Sequence, residues 1–216
     1  MSVWLADLDG LHDHQAAFEL LSEDERARAR RFVFDVHRYR FVACRALLRT
    51  LLAERIGGSP LDVRFEYGPA GKPALAGAAA DGLHFNVSHS DRQALVALSA
   101  GRAIGVDLQQ MRRVSDMDRL AATVFSAAER DALALVPADA RLQGFYNGWT
   151  RKEAYLKARG EGLGRLRAIE VSLTPGEPAR LLGVDGEPSE VARWSLEALS
   201  LLPDFAAAMC VEAVAP

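Results

Sequence analysis

GLHFNVSHSDRQALVALSAGRAIGVDL, residues 82–108, carries three strand patterns in succession. Leu83, Phe85 and Val87 fall on one face of the first, ALVALS (94–99) pairs nearby, and AIGVDL opens a third that ends on a carboxylate. Upstream, Ser22 followed by Glu25 has the form of a capping box and predicts a helix from about Glu23. In FVACRALLRTLLAERI the residues Phe41, Cys44, Leu48, Leu51 and Leu52 recur at helical steps, and Gly57-Gly58 stops the run. VRFEY (63–67) reads as a strand, and the Gly-, Ala- and Pro-rich stretch Gly68–Gly82 as a loop. Downstream the order begins again. Ser126 with Glu129 opens a second capped helix, a long helix runs from about Asp139 to Arg159, and Gly160 and Gly162 end it. IEVSL (169–173), RWSLEAL (193–199) and FAAAMCVEA (205–213) read as strands, with a loop from Pro175 to Pro188. No residue-level repeat is evident, yet helix-then-strands occurs twice. The expected fold is α+β in two halves, 1–101 and 102–216, meeting near residues 100 to 105.

Composition narrows the function. With 216 residues, net charge −3 and 50% hydrophobic residues, the chain is long and apolar enough to bury a core, which excludes disorder and collagen. No stretch approaches the roughly 20 apolar residues that span a bilayer. The start, MSVWLADLDGLHDH, has acids where a secretion signal is basic, so a cytoplasmic protein that does not bind membranes is expected. Cys44 and Cys210 lie among apolar neighbours without CxxC spacing and read as buried small hydrophobes. A near-neutral charge argues against nucleic acid as a partner. Between Arg26 and Arg49, however, eight arginines face one acid, Asp35. They form either a solvated helix face or a docking surface for phosphates, and composition does not choose.

Three features point to chemistry. Asp107 ends an apolar strand just after Gly105-Val106, where a carboxylate needs a partner or a cation. In WTRKEAYLKARG, Trp149, Glu153 and Lys157 are spaced by four and share one helix face. An exposed Glu-Lys pair is the ordinary meaning of that spacing. Together with Asp107, though, Glu153 could supply the carboxylates that Mg²⁺ takes beside substrate phosphates. The chain also has 23 arginines and only three lysines, Lys72, Lys152 and Lys157. A compact ammonium differs from a guanidinium chiefly where one point charge fits against phosphate, so the three lysines are expected at such contacts. Ser88-His89 has no nucleophile elbow, and strand neighbours point to opposite faces, so a Ser–His couple is not expected. Phosphate contact and a structural turn role both stay open for Ser88.

Gly71-Lys72-Pro73, Phe85-Asn86-Val87-Ser88-His89-Ser90, Gly105-Val106-Asp107 and Trp149-Thr150-Arg151-Lys152-Glu153-Ala154 with Lys157 and Gly162-Leu163 resemble, in order and spacing, the Sfp-type 4′-phosphopantetheinyl transferases. The resemblance spans roughly Ser22 to Leu173. It implies two pseudo-symmetric halves, each a small, mostly antiparallel sheet packed on a long helix, with the active site in the cleft between them. It also implies coenzyme A as co-substrate, Mg²⁺ as cofactor, and transfer of the phosphopantetheine arm to a serine of an apo acyl or peptidyl carrier protein, releasing 3′,5′-ADP. It implies Asp107 and Glu153 as metal ligands and Lys157 as a pyrophosphate contact. Glu153 would take the serine proton directly or through a metal-bound water. Lys72, Pro73, Ser88 and His89 would grip the nucleotide end, and Arg40, less securely with Arg28, the 3′-phosphate. A monomer is expected, since one chain completes the cleft. Two rivals remain: a non-catalytic coenzyme A or carrier-protein binding module, and a hydrolase using Ser88 and His89.

One departure stands out. Many family members have Asp-x-Glu where this chain reads Asp107-Leu108-Gln109, so a third carboxylate is missing. Gln109→Glu should therefore lower the Mg²⁺ concentration needed for half-maximal rate, and an unchanged titration would remove Gln109 from the ligand shell.

Overall fold

The computed structural model describes residues 1–77 and 82–214. The chain runs β1 (Ser2–Asp7), α1 (His14–Glu19), α2 (Glu23–Arg30), α3 (Asp35–Ile56), β2 (Phe65–Tyr67), β3 (Pro73–Leu75), β4 (Leu83–Ser90) and β5 (Gln93–Ala100). It continues with β6 (Ile104–Gln110), α4 (Met117–Val124), α5 (Ala127–Leu135), α6 (Arg141–Arg159), β7 (Ile169–Val171), β8 (Leu181–Val184), α7 (Glu190–Arg193), β9 (Trp194–Ala198) and β10 (Phe205–Glu212). Two three-stranded antiparallel sheets result, ordered β1-β5-β4 and β6-β10-β9, with two-stranded pairs β2-β3 and β7-β8 beside them. In each, the first strand pairs with the last, and the last with the one before it. This is the α+β, two-half architecture expected from the doubled order.

The layering follows from strand alternation. Val96 and Leu98 of β5 turn toward α3 and meet Leu48, Leu51 and Leu52, while Leu95 and Ala97 turn the other way. There they meet Ile104, Val106 and Leu108 of β6 and Met209 of β10. Residues of β10 on its opposite face, Ala208 and Cys210, pack with Tyr155 and Leu156 of α6. The order of layers is therefore α3, first sheet, second sheet, α6. The inner strands are covered on both faces, which is why ALVALS reads as a continuous apolar run. Both cysteines are buried and unpaired, as expected.

The halves also share a residue-level repeat that the sequence did not reveal. Both capping boxes form, Ser22 with Glu25 and Ser126 with Glu129. Each capping glutamate is buried and meets a cation of its long helix: Arg49 Nε to Glu25 at 2.5 Å, Lys152 Nζ to Glu129 at 2.5 Å. Arg49 and Lys152 each stand eight residues before the left-handed glycine that ends the helix, Gly57 (φ 70°) and Gly160 (φ 71°). Each also donates to two backbone carbonyls, Pro60 and Val63 for Arg49, Val124 and Leu166 for Lys152.

Several expectations need correction. The loop expected over Gly68–Gly82 contains β3, whose Leu75 faces Phe65 of β2 across a hairpin; its residues 78–81 lie outside the described residues, as do 215 and 216 of the second half. VRFEY is strand only from Phe65. The loop expected from Pro175 to Pro188 contains β8, paired with β7. β1, α1 and α4 were not anticipated. α3 begins at Asp35, ahead of its apolar stripe, and α6 at Arg141. The basic patch is largely neutralised by acids from outside its span: Glu25 binds Arg45 and Arg49, Glu23 binds Arg30, and Asp9 and Asp91 bind Arg40. A count along the sequence could not see those partners.

Candidate active site

β6 presents alternate residues to opposite layers, so Gly105, Asp107 and Gln109 face α6 while Val106 and Leu108 enter the core between the sheets. Gly105 lets the two elements touch. A Cβ there would lie 2.8 Å from the Lys157 carbonyl carbon and closer still to Ala154 O and Ala158 N. This contact carries the last turns of α6 against β6 and brings Lys157 to Asp107, with Nζ donating to Oδ1 at 2.6 Å. The same ammonium lies 3.7 Å from Glu153 Oε2, one helical turn away. Two carboxylates 46 residues apart in sequence thus meet at one lysine.

Charge in this cluster is constrained by burial. Asp107 is 0% exposed, and its Oδ1 takes both protein donors, Ser88 Oγ at 2.8 Å and Lys157 Nζ. Its Oδ2 is buried without a hydrogen-bond partner among the described residues. An anionic oxygen left so is costly unless a cation reaches it. Glu153 is held above the usual carboxylate range by burial first and the Asp107 charge second, with Lys157 opposing both. Oxygen donors of this kind suit a hard divalent ion that keeps water and substrate in its other positions. Among the described residues no three His, Cys, Asp or Glu side chains gather as a metal cage, and Gln109, two residues after Asp107, accepts from Ser90 Oγ at 3.4 Å.

The second half is tied to the first by side chains. β10 pairs with one edge of β6; the amides of Val106, Leu108 and Gln110 point from the other edge and meet Asn86 Oδ1, Ser88 Oγ and Ser90 Oγ at 2.8, 3.1 and 3.0 Å. Three polar side chains of β4 thus take the place of a neighbouring strand's carbonyls. This ladder was missed from sequence, although Asn-x-Ser-x-Ser at alternate positions of one strand was its signal.

The remaining candidates are dispersed. His89 stands on the β4 face opposite Ser88; loss of hydration, then the charges of Lys157 and Arg28, hold its imidazole below the usual range. Arg28 lies over the Phe41 ring at 5.1 Å. Arg40 sits apart, bound through both Asp9 oxygens at 2.7 Å and to Asp91 at 2.9 Å. Lys72 and Pro73 border a groove of about 460 Å³ with Tyr67, His84, Phe85 and Gly160. Lys72 Nζ turns inward to the carbonyls of Ile104 (3.0 Å) and Ala158 (3.1 Å).

The lysine expectation is therefore corrected. Lys152 is wholly buried against Glu129, and Lys72 bonds two carbonyls of the second half. Burial pushes Lys72 down to about 8, from 10.5 when exposed. Between these values the unfolded chain binds more protons, so Lys72 makes stability rise with pH across that window. Lys72→Met should flatten that rise, read from urea midpoints at a series of pH values; parallel curves for the two proteins would contradict the buried ammonium.

Two family models match successive stretches of the chain. Residues 103–210 match the family model described as 4′-phosphopantetheinyl transferase superfamily, and residues 10–101 match 4′-phosphopantetheinyl transferase, N-terminal. The chain is 44% identical over 196 residues to the 4′-phosphopantetheinyl transferase HetI of Nostoc sp., covering 90% of this chain and 78% of that one. It is 27% identical over 151 residues to the 4′-phosphopantetheinyl transferase Sfp of Bacillus subtilis, covering 70% and 65%. Among solved structures, a holo-(acyl-carrier-protein) synthase from Bacillus anthracis in complex with CoA (3′,5′-ADP) aligns with TM-score 0.41 and 23% identity, over 51% of this chain and 94% of that chain.

Proposed function

The chain belongs to the 4′-phosphopantetheinyl transferase superfamily, and from that membership we propose how its own residues move the phosphopantetheine arm of coenzyme A to a carrier protein. The enzyme class follows from the family, and the binding-module alternative is not favoured. The observation that carries the residue assignment is the meeting of Asp107, Glu153 and Lys157 at one ammonium, with Asp107 Oδ2 buried and unpartnered beside it. Asp107 and Glu153 would hold Mg²⁺, which when bound supplies positive charge against the coenzyme A diphosphate. The carrier serine oxygen attacks the β-phosphorus, the bond from that phosphorus to the bridging oxygen breaks, and 3′,5′-ADP leaves with that oxygen. Glu153 would take the serine proton, directly or through a water beside it. Lys157 would keep its bonds to Asp107 and Ser88 and offer its third N–H to the diphosphate, stabilising the charge that develops there.

A hydrolase built on Ser88 and His89 is disfavoured by the Ser88 hydroxyl, which is committed to Asp107. We assign the nucleotide end to residues 1–101, through the Lys72–Pro73 groove and His89, and the metal to 102–216. Arg40 would have to exchange Asp9 and Asp91 for the 3′-phosphate, whereas Arg28, exposed beside His89, is open to it. Among the described residues no helix is long and apolar enough to cross a membrane, and we place the enzyme in the cytoplasm as a monomer.

The carrier's entry is suggested by the turn between α2 and α3. Val33 and Phe34 are 86% and 66% exposed, Val36 is also exposed, and Arg30 and Arg31 lie alongside. An acidic carrier with an apolar ridge would fit this surface. Phe34→Glu should raise KM for the carrier about tenfold at constant KM for coenzyme A, the pattern of lost uniform binding; equal carrier KM values would exclude the site. Incubation with coenzyme A, Mg²⁺ and apo carrier, followed by intact mass measurement, tests the function. One added phosphopantetheine is expected, and an unmodified carrier would refute the reading.

A further inference from the structure

Ser88 is a member of both the ladder and the site. Its hydroxyl donates to Asp107 Oδ1 at 2.8 Å and accepts from Leu108 N–H at 3.1 Å and Lys157 Nζ at 3.1 Å. One proton and two lone pairs make up the hydrogen-bonding capacity of a serine oxygen, and all are used within the protein. The residue is 4% exposed, on the β4 face turned toward β6. A phosphate could reach this oxygen only by displacing an interlobe bond. We infer that Ser88 is a positioning residue for the metal ligand and does not itself grip coenzyme A; this rests on reading Asp107 as a ligand.

The physical case is one of direction. A carboxylate rotates about its last bond and can present either oxygen. Ser88 Oγ and Lys157 Nζ both bind Oδ1, which fixes the rotation and leaves Oδ2 as the oxygen offered to a cation. The Leu108 amide, next in sequence to Asp107, holds the same hydroxyl, so strand position and carboxylate orientation are set by one atom. Asn86 and Ser90 hold β6 two residues to either side, at Val106 and Gln110, so the strand keeps its place when Ser88 is changed. Hydrogen bonds behind a ligating carboxylate commonly govern metal affinity by about 10- to 100-fold.

The test separates metal from coenzyme. Mn²⁺ affinity is measured by electron paramagnetic resonance on the parent, Ser88→Ala and Ser88→Thr, and coenzyme A affinity by calorimetry in EDTA. Ser88→Ala should bind Mn²⁺ at least about tenfold more weakly with coenzyme A affinity in EDTA unchanged, and Ser88→Thr, which keeps the hydroxyl, should recover Mn²⁺ affinity. Should Ser88→Ala fail to fold, Ser88→Cys takes its place, with the same loss expected from its weak S–H donor. Parental Mn²⁺ affinity in the Ala or Cys variant would overturn the inference alone. Loss of coenzyme A affinity in EDTA with Mn²⁺ affinity unchanged would instead make Ser88 a phosphate contact. A parent that binds no Mn²⁺ would overturn both this inference and the reading of Asp107.

Discussion

Glu153→Gln should lower kcat/KM for carrier modification by about a thousandfold, within the range for loss of a general base, while the melting temperature stays level or rises. The two effects share one cause. Burial and the Asp107 charge both work against an ionised Glu153, so the fold bears that charge at a disadvantage that Lys157 only partly offsets. An amide of the same shape relieves the repulsion and leaves the packing of α6 unchanged. It also ends the side chain's ability to take the serine proton and weakens it as a cation ligand. Asp107→Ala should be equally inactive but also less stable, because Lys157 and Ser88 would then lose the oxygen they share. Intact-mass time courses and thermal melts by circular dichroism measure both quantities. A Glu153→Gln enzyme within about fivefold of the parent in kcat/KM would remove Glu153 from the chemistry.

The legible and the hidden parts of this protein divide by range. Both capping boxes, the glycines that end α3 and α6, the alternation of β4 and the apolar run of β5 are signals contained within a few residues, and each formed where it was read. The meeting of Asp107 with Glu153 was reached by asking what a buried carboxylate needs. β3 and β8 escaped because three- and four-residue strands in Gly- and Pro-rich sequence become strands only through their hairpin partners. The same limit governed charge. Arg40 looked available among its neighbours in sequence, but Asp9 and Asp91 are 31 and 51 residues away. Lys152 looked functional beside Glu153, yet points to a different face of α6 and satisfies Glu129 and two carbonyls. Local chemistry named the residues, and only the tertiary partners separated those with a free valence from those already satisfied.

Gly105→Ala should be the most disruptive single change of this size. Most glycines in the chain would meet open space or ordinary contact if given a Cβ, whereas the one at 105 would meet Ala154 O, Ala158 N and the Lys157 carbonyl carbon. These are backbone atoms within a helix and cannot rotate aside, so α6 would have to move away from β6. A destabilisation of about 3 kcal/mol is expected, the upper end of typical overpacking. Activity should fall further than stability explains, because the displaced turn is the one that carries Lys157 to Asp107 and sets its distance to Glu153. Gly164→Ala is the control: a Cβ there meets nothing within 4 Å, and it should leave both melting and transfer near parental values. The discriminating comparison is at a temperature where folded Gly105→Ala protein predominates, with transfer measured per folded molecule. Parental turnover under those conditions would mean that α6 can separate from the ligand strand without disturbing the lysine, and that close backbone contact is not what assembles the site.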